Sequence, residues 1–281
     1  MGDIVWLASF PKSGNTWMRA FLHNLFSNRE RSFDVNRMAG ELLQSDGALM
    51  WFQMLDRRPL AEWLPEDVAS MRPRVNELIA RAQKGSLFCK THNALMTICG
   101  YPTINLAVTS GAIYIVRNPL DVAVSFADFM GFGVDDAIEH MATDNLETPH
   151  DPAMNNVGII LGSWSQHVES WTGNPNPRLH VVRYEDMLDH PSKTFGATAR
   201  FLGLKPSRQR LLRAIRNSSF KALRRQEDQR GFKEKPPTQE KFFRRGTAGH
   251  WRQELTPEQV ERVCSQHRVQ MERFDYLPRD S

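Results

Sequence analysis

The sequence predicts an α/β protein, a central and mostly parallel sheet flanked by helices, organised as a single domain over residues 1–281. Three observations carry this expectation. An apolar run at 4–8 passes through a short turn into helical periodicity at 16–26. A second apolar run at 112–116 passes through Arg117-Asn118-Pro119 into another helical pattern at 120–130. Two strand–turn–helix units in one chain favour parallel strands with helical crossovers. Finally, 281 residues of which 41% are hydrophobic and 24% charged can fill a core, and no repeat, low-complexity tract or linker divides them.

The elements follow in order. The first turn, residues 9–15, holds Ser9, Ser13, Gly14 and Asn15, which suit a tight turn and a helix start. Residues 28–85 are mixed, with short helices expected near 37–55 and 73–83. A strand at 87–90 comes next, then the strand at 112–116 and its helix, where Pro119 suits a first helical position. Residues 131–155 read as a loop-rich insertion and 158–171 as a helix. A strand at 180–183 precedes helices at 191–202 and 207–215. The charge-dense stretch 221–241, with Gly231 and Pro236-Pro237, is expected to pack loosely until a ligand orders it. Thr256-Pro257-Glu258 reads as cap, first position and acidic first turn of a last helix.

Composition narrows the function classes. Collagen, coiled coil and disordered-tail proteins are excluded. Lys and Arg total 36 against 32 Asp and Glu, a net charge of +4 that favours small anionic ligands and, without a recognition motif, no nucleic acid. Cys89, Cys99 and Cys264 lack metal or disulfide spacing, which fits a reducing cytoplasm. The start of the chain has no basic leader pattern, and the uncharged stretch 94–116 reads as a buried strand beside a loop, so no membrane association is expected. No His/Asp/Glu spacing calls for a metal.

Four segments carry chemistry. Between strand and helix, Pro11-Lys12-Ser13-Gly14-Asn15-Thr16-Trp17 can aim consecutive backbone N–H groups, a lysine and hydroxyl donors at phosphate or sulfate. It is a P-loop-like anion cradle but not a Walker A loop, since its lysine precedes the glycine. Arg117 ends a strand and Ser125 lies about two helical turns later, so both could reach one further phosphate, with Asp121 capping or bracing the helix start. Lys90-Thr91-His92 follows a strand and pairs a cation with a general-base candidate. Near the C-terminus, Arg244-Arg245-Gly246-Thr247-Ala248-Gly249 joins guanidinium forks to flexible backbone, as a polyphosphate or nucleotide site requires.

Taken with Gly162–Trp171, Arg183–Met187 and Asn217–Phe220, these segments in this order resemble the soluble sulfotransferases that use 3′-phosphoadenosine 5′-phosphosulfate (PAPS), and their small bacterial relatives. The resemblance spans nearly the whole chain. It implies a nucleotide-binding core in which Lys12, Ser13, Gly14, Asn15 and Thr16 wrap the 5′-phosphosulfate and Trp17 stacks on adenine. Arg117 and Ser125 would hold the 3′-phosphate with Arg244, Arg245 and Gly246, while Tyr184, Ser218 and Phe220 would line the nucleoside pocket. His92 would be the base that deprotonates the acceptor hydroxyl, and Lys12 and Lys90 would neutralise the leaving oxygen, without a metal. The acceptor, a small alcohol or phenol with an apolar body, would bind among 28–85 and 131–155. Arg252, Thr256 and Glu261 match a family dimerisation pattern with Pro257 in place of valine, so the resemblance includes a homodimer. Gly249-His250-Trp251-Arg252 also departs from the usual Gly-Asp-Trp-Lys. A nucleoside-triphosphate phosphotransferase would need a lysine after the glycine and a magnesium aspartate, which the sequence does not offer. A non-catalytic nucleotide-binding protein would have little use for Lys12, Lys90 and His92 together.

Overall fold

The computed structural model describes residues 3–38, 43–82, 85–152 and 155–278. In chain order the elements are β1 (Ile4–Ser9), α1 (Asn15–Ser27), β2 (Leu43–Ser45), α2 (Leu49–Gln53), α3 (Pro65–Arg81), β3 (Leu87–Thr91), β4 (Thr97–Ile98), β5 (Tyr101–Pro102), β6 (Thr109–Val116) and α4 (Pro119–Met130). There follow α5 (Val134–Ala142), α6 (Trp164–Thr172), β7 (Leu179–Arg183), α7 (Tyr184–Asp189), α8 (Pro191–Phe201), α9 (Arg208–Asn217), α10 (Phe220–Arg230), α11 (Trp251–Glu254) and α12 (Pro257–Arg273).

The main sheet runs β2-β3-β1-β6-β7 and every pairing in it is parallel. The expected α/β class with a parallel sheet therefore stands. Side chains alternate across the strands, so both faces need cover. Leu7, Ile113, Ile115 and Val182 join Phe21, Leu22 and Phe195 of α1 and α8 in one buried cluster. Trp6, Ala8, Tyr114 and Val116 join Leu120, Ile138, Trp164 and Val263 of α4, α5, α6 and α12 in another. Each fully buried large aliphatic or aromatic side chain contributes roughly 1.5–3 kcal/mol.

Several local expectations are corrected. The segment 37–55 forms a 3₁₀ turn at Val35–Arg37, then β2 and α2; residues 39–42 of that expectation lie outside the described residues, as does residue 83 of the one at 73–83 and residues 153–154 of the loop-rich insertion. The helix expected at 73–83 is the second half of α3, which starts with Pro65 and has Glu66 and Asp67 in its first turn. Within 131–155 lies α5, whose Asp136 carboxylate accepts from the Gly133 N–H at its start. The helix expected from 158 starts at Trp164, because Gly162 is left-handed (φ 62) and Ser163 Oγ caps the Gln166 N–H. Residues 221–241 are better packed than their charge suggests. Leu223 of α10 and Phe232 are buried with Phe243, and the buried Glu227 accepts from the Phe242 and Phe243 N–H groups at 2.7 and 2.9 Å. No helix among the described residues is long and apolar enough to cross a membrane.

Candidate active site

The C-terminal ends of β1, β3, β6 and β7 and the segment 231–250 open onto a cavity of about 1060 Å³. Parallel strands place their C-terminal ends together, which is where ligands settle in open α/β sheets.

The loop after β1 supplies one wall. Lys12 is left-handed (φ 66), and so is Gly14 (φ 103), where a Cβ would come 2.7 Å from the Tyr184 ring. Helix α1 starts directly after that glycine, with its first N–H groups at the cavity edge. Asn15 braces the turn by donating to the Leu7 carbonyl at 2.9 Å. Ser13 Oγ, Asn15 Oδ1 and Trp17 Nε1 are buried without a hydrogen-bond partner among the described residues, so the loop carries polar capacity that its own fold leaves unused. The Lys12 ammonium lies between the rings of Phe129 and Phe242, 4.4 and 4.3 Å from their centroids. Burial first, and then the Arg117 charge, pull its pKa down to about 7, while Asp128 opposes them.

Arg117 leaves the end of β6, donates to the Lys12 carbonyl at 2.9 Å and lies 4.3 Å over the Tyr184 ring. Ser125, on α4, also lines the cavity. Asn118 rather than Asp121 caps α4, its Oδ1 accepting from the Leu120 N–H at 3.0 Å; the Asp121 carboxylate instead accepts from the Gly249 and Trp251 N–H groups at 2.7 and 3.2 Å, tying the end of the Arg244–Gly249 loop to α4. Arg244 reaches Asp128 at 2.9 Å and Arg245 pairs with Glu254. Gly246 sits against the Phe220 ring, where a Cβ would come within 2.1 Å.

At the end of β3, His92 Nδ1 lies 2.6 Å from the Ser9 carbonyl. A carbonyl only accepts, so Nδ1 carries the proton and Nε2 keeps its lone pair. Burial, then the Lys90 charge, hold this imidazole well below its ordinary pKa and therefore neutral at pH 7. Burial also lowers the Lys90 pKa, against the pull of Glu234. Behind them, His167 Nε2 donates to the His92 carbonyl at 3.1 Å while its Nδ1 accepts from the Tyr114 hydroxyl at 2.8 Å. Buried Asp46 accepts from Thr91 Oγ1 and Asn93 Nδ2 at 2.7 and 2.9 Å, fixing the backbone on either side of His92.

Lys12, Gly14, Asn15, Thr16, Trp17, Lys90, His92, Arg117, Ser125, Tyr184, Phe220, Arg244, Arg245 and Gly246 thus line one cavity. Two other sequence candidates do not. Ser13 is buried in the loop behind it, and Ser218 is fully buried with its hydroxyl donating to the Ala214 carbonyl at 2.9 Å, as the end of α9 requires. Trp17 meets Tyr184 and Phe195 edge-on at 5.8 and 5.6 Å. Sequence reasoning assigned no role to Arg19, Asp46, His167 or Glu234. A charged Arg19 on the buried side of an apolar helix was the one usable signal, since such a residue needs a partner. Leu49, Met50, Val124, Met130, Val157 and Ile159 add apolar side chains to the lining of the same cavity. Among the described residues, no group of three or more His, Cys, Asp or Glu is arranged to hold a metal.

Comparison with known proteins agrees with this geometry. The family profile described as "Sulfotransferase domain" matches residues 3–275. Human sulfotransferase 1C2 is 23% identical over 285 residues, covering 96% of this chain and 83% of that protein. Rat sulfotransferase 1A1 is 26% identical with 98% and 86% covered, and flavonol 3-sulfotransferase of Flaveria bidentis is 25% identical with 92% and 78% covered. In fold, the chain is similar to a mouse sulfotransferase crystallised with PAP (TM-score 0.61, 19% identity, 97% of this chain and 85% of that one). It is equally similar to retinol dehydratase in complex with retinol and PAP (TM-score 0.61, 21% identity, 99% and 83%). With the profile extending over almost every described residue, the chain belongs to the sulfotransferase domain family and is a sulfotransferase.

Proposed function

We propose that the protein transfers a sulfuryl group from PAPS directly to the hydroxyl of a small acceptor. The observation that carries this reading is the meeting of the loop after β1, Arg117, Arg244 and the neutral His92 around one cavity. The residues fit the donor. Unused polar atoms in the Ser13–Trp17 loop, the α1 N-terminus and two guanidinium groups suit a nucleotide with charge at two ends, and the Tyr184 and Phe220 rings suit its base. PAP, 3′-phosphoadenosine 5′-phosphate, is what remains of PAPS after transfer, and two proteins similar in fold were crystallised with PAP.

In this reading Lys12, Gly14, Asn15 and Thr16 hold the 5′ end, with Ser13 serving through the loop backbone, and Arg117 and Ser125 hold the 3′-phosphate together with Arg244, Arg245 and Gly246. Trp17, Tyr184 and Phe220 flank the nucleoside. His92 Nε2 takes the acceptor's proton as its oxygen attacks sulfur in line with the departing phosphate. The Lys12 and Lys90 cations stabilise the charge growing on the bridging oxygen. Residues from 28–85 and 131–155, including Leu49, Met50 and Pro149, add apolar lining to the cavity, which supports an alcohol or phenol with an apolar body as acceptor. We take the whole chain as one catalytic domain working in a reducing cytoplasm, with three free thiols in its support. Exposed Arg252 and Glu261 leave the homodimer reading open to a sedimentation test.

Calorimetric titration with PAP against ATP, ADP and adenosine 5′-phosphate tests the donor. Binding that depends on the 3′-phosphate is expected, and preference for ATP with magnesium would overturn it. A screen of alcohols and phenols with labelled PAPS then tests the acceptor class.

A further inference from the structure

Arg19 is the most buried guanidinium lining the cavity, with its side chain only 2% exposed. Its two terminal nitrogens meet Glu234 in a fork, Nη1 to Oε1 at 2.8 Å and Nη2 to Oε2 at 2.6 Å. Nη2 also donates to Thr16 Oγ1 at 3.1 Å. Two segments far apart in sequence are joined in this way: the first turns of α1, which carry Thr16 and Arg19, and the segment after α10, which carries Glu234.

A guanidinium can only donate hydrogen bonds. Thr16 Oγ1 is therefore held as an acceptor, and its own O–H proton is directed away from Arg19. Thr16 stands in the first turn of α1 and lines the cavity, at the helix end whose free N–H groups suit an anion. Glu234 is held to its charged form: burial pushes its pKa up, but Arg19, and beyond it Lys90, bring it down to about 2. A bidentate pair of this kind fixes the guanidinium plane as well as its position.

The segment carrying Glu234 is docked at other points. Lys233 N–H donates to Asn36 Oδ1 at 2.8 Å, Thr238 Oγ1 donates to the Phe129 carbonyl at 2.9 Å, and Gln239 bonds Asp128. It spans the cavity from the α1 side to α4 and contributes Lys233, Glu234 and Gln239 to its lining.

We propose that Glu234 and Arg19 are positioning residues for the donor: Glu234 orients Arg19, and Arg19 turns the Thr16 hydroxyl proton toward the 5′-phosphosulfate, so that docking of segment 231–241 completes the anion cradle. This rests on the PAPS reading above. Glu234 brings a negative charge into an anion site, yet the relay converts that charge into one more aligned donor. It also restricts full-strength donor binding to the state in which the segment is docked.

A double-mutant cycle on PAP affinity, measured by calorimetry, tests it with Glu234→Gln, Thr16→Val and the pair. Glu234→Gln should weaken PAP binding about tenfold in the native background, the scale of one charge-assisted hydrogen bond. In the Thr16→Val background the same change should cost less than about twofold, because the hydroxyl it acts through is gone. Thr16→Ser, which keeps the hydroxyl, should restore the native sensitivity. Arg19→Lys serves as a second probe, since a single ammonium cannot hold both carboxylate oxygens and Thr16 in one plane; it should behave like Glu234→Gln. Equal losses in both backgrounds would mean that Glu234 only secures the segment, and unchanged affinity would mean that it does nothing for the donor. Either result overturns the relay while leaving the PAPS reading intact. Failure of the native protein to bind PAP would instead overturn that reading, and the relay with it.

Discussion

Replacing His92 by Ala separates chemistry from binding. Its ring is held through Nδ1–H on the Ser9 carbonyl at 2.6 Å and is neutral, so the lone pair on Nε2 is in place before any acceptor arrives. Removing a positioned general base costs roughly 10²–10⁴-fold in rate, or about 3–5 kcal/mol of barrier. His92 makes no contact with Arg117, Arg244 or Tyr184 in the hydrogen-bond network, so PAP affinity should stay within about threefold, a difference of less than 1 kcal/mol. The pH profile adds a second readout. A base with its pKa lowered in the free protein keeps its lone pair into more acidic solution, so the native kcat/KM should hold its plateau below pH 6.5, the ordinary imidazole value. Single-turnover transfer from labelled PAPS to a phenol, followed from pH 5 to 8, measures both. A His92→Ala rate within threefold of native would refute the base assignment. So would a native acid limb centred at or above pH 6.5.

Four further outcomes follow from the same geometry. Arg117→Ala should weaken PAP about ten- to hundredfold, the range for a charge-assisted hydrogen bond, with kcat at saturation little changed; calorimetry and steady-state kinetics check it. Because Lys12 has a pKa of about 7 in the free protein, and a polyanion favours its charged form, PAP binding at pH 7.5 should take up protons; titration in buffers of different ionisation enthalpy measures this, and proton release would contradict it. Gly246→Ala should lose nucleotide affinity, since its Cβ would meet the Phe220 ring at 2.1 Å and its φ of 67 disfavours a side chain; an unchanged Kd would count against the placing of that loop. His167, buried and lowered to about 4 by burial, is neutral when folded and protonates more readily when unfolded near pH 6.5. Its stabilisation is therefore complete above pH 6.5 and fades as the pH falls toward 4, about 2 kcal/mol being lost by pH 5. Urea unfolding of the native and His167→Gln proteins at pH 7.5 and 5 reads the difference.

The sheet and the turn from β1 into α1 were legible because their signals are local. A buried parallel strand is a short apolar run, and Ile4–Ser9 and Thr109–Val116 each lead within a few residues to a Gly or Pro marker at a helix start. Strand β2 escaped detection because three residues, Leu43–Ser45, cannot display a period. Helix α5 lay within a segment whose Gly, Asn and Pro content argues for loop; only the Gly133–Asp136 cap marked it, and that cap has no apolar run before it. Ser218 belongs to the site only through the family resemblance, whereas the geometry of a helix end turns its hydroxyl inward. The pairing of Arg19 with Glu234 had no local signature at all, because 215 residues separate them. Such contacts are decided by how the chain closes on itself. The charge-dense stretch 221–241 misled for a related reason: its few apolar residues, Leu223 and Phe232, determine its packing, and they are sparse in any window.

The pairing of β3 has a consequence for how the protein can fail. Lys90 lies opposite Leu7 on one neighbour and Ser45 on the other, and Thr91 lies opposite Ala8. Side chains alternate along a strand, so Lys90 and His92 project to one side and Thr91 to the other, where Asp46 receives it. A slip of one residue would exchange the two sides, sending the Lys90 charge and the His92 base away from the cavity and presenting a threonine in their place. Such a species could keep its helices while being silent in an assay. Turnover in this protein is thus a sensitive register gauge, able to detect misassembled sheet that circular dichroism would pass as native.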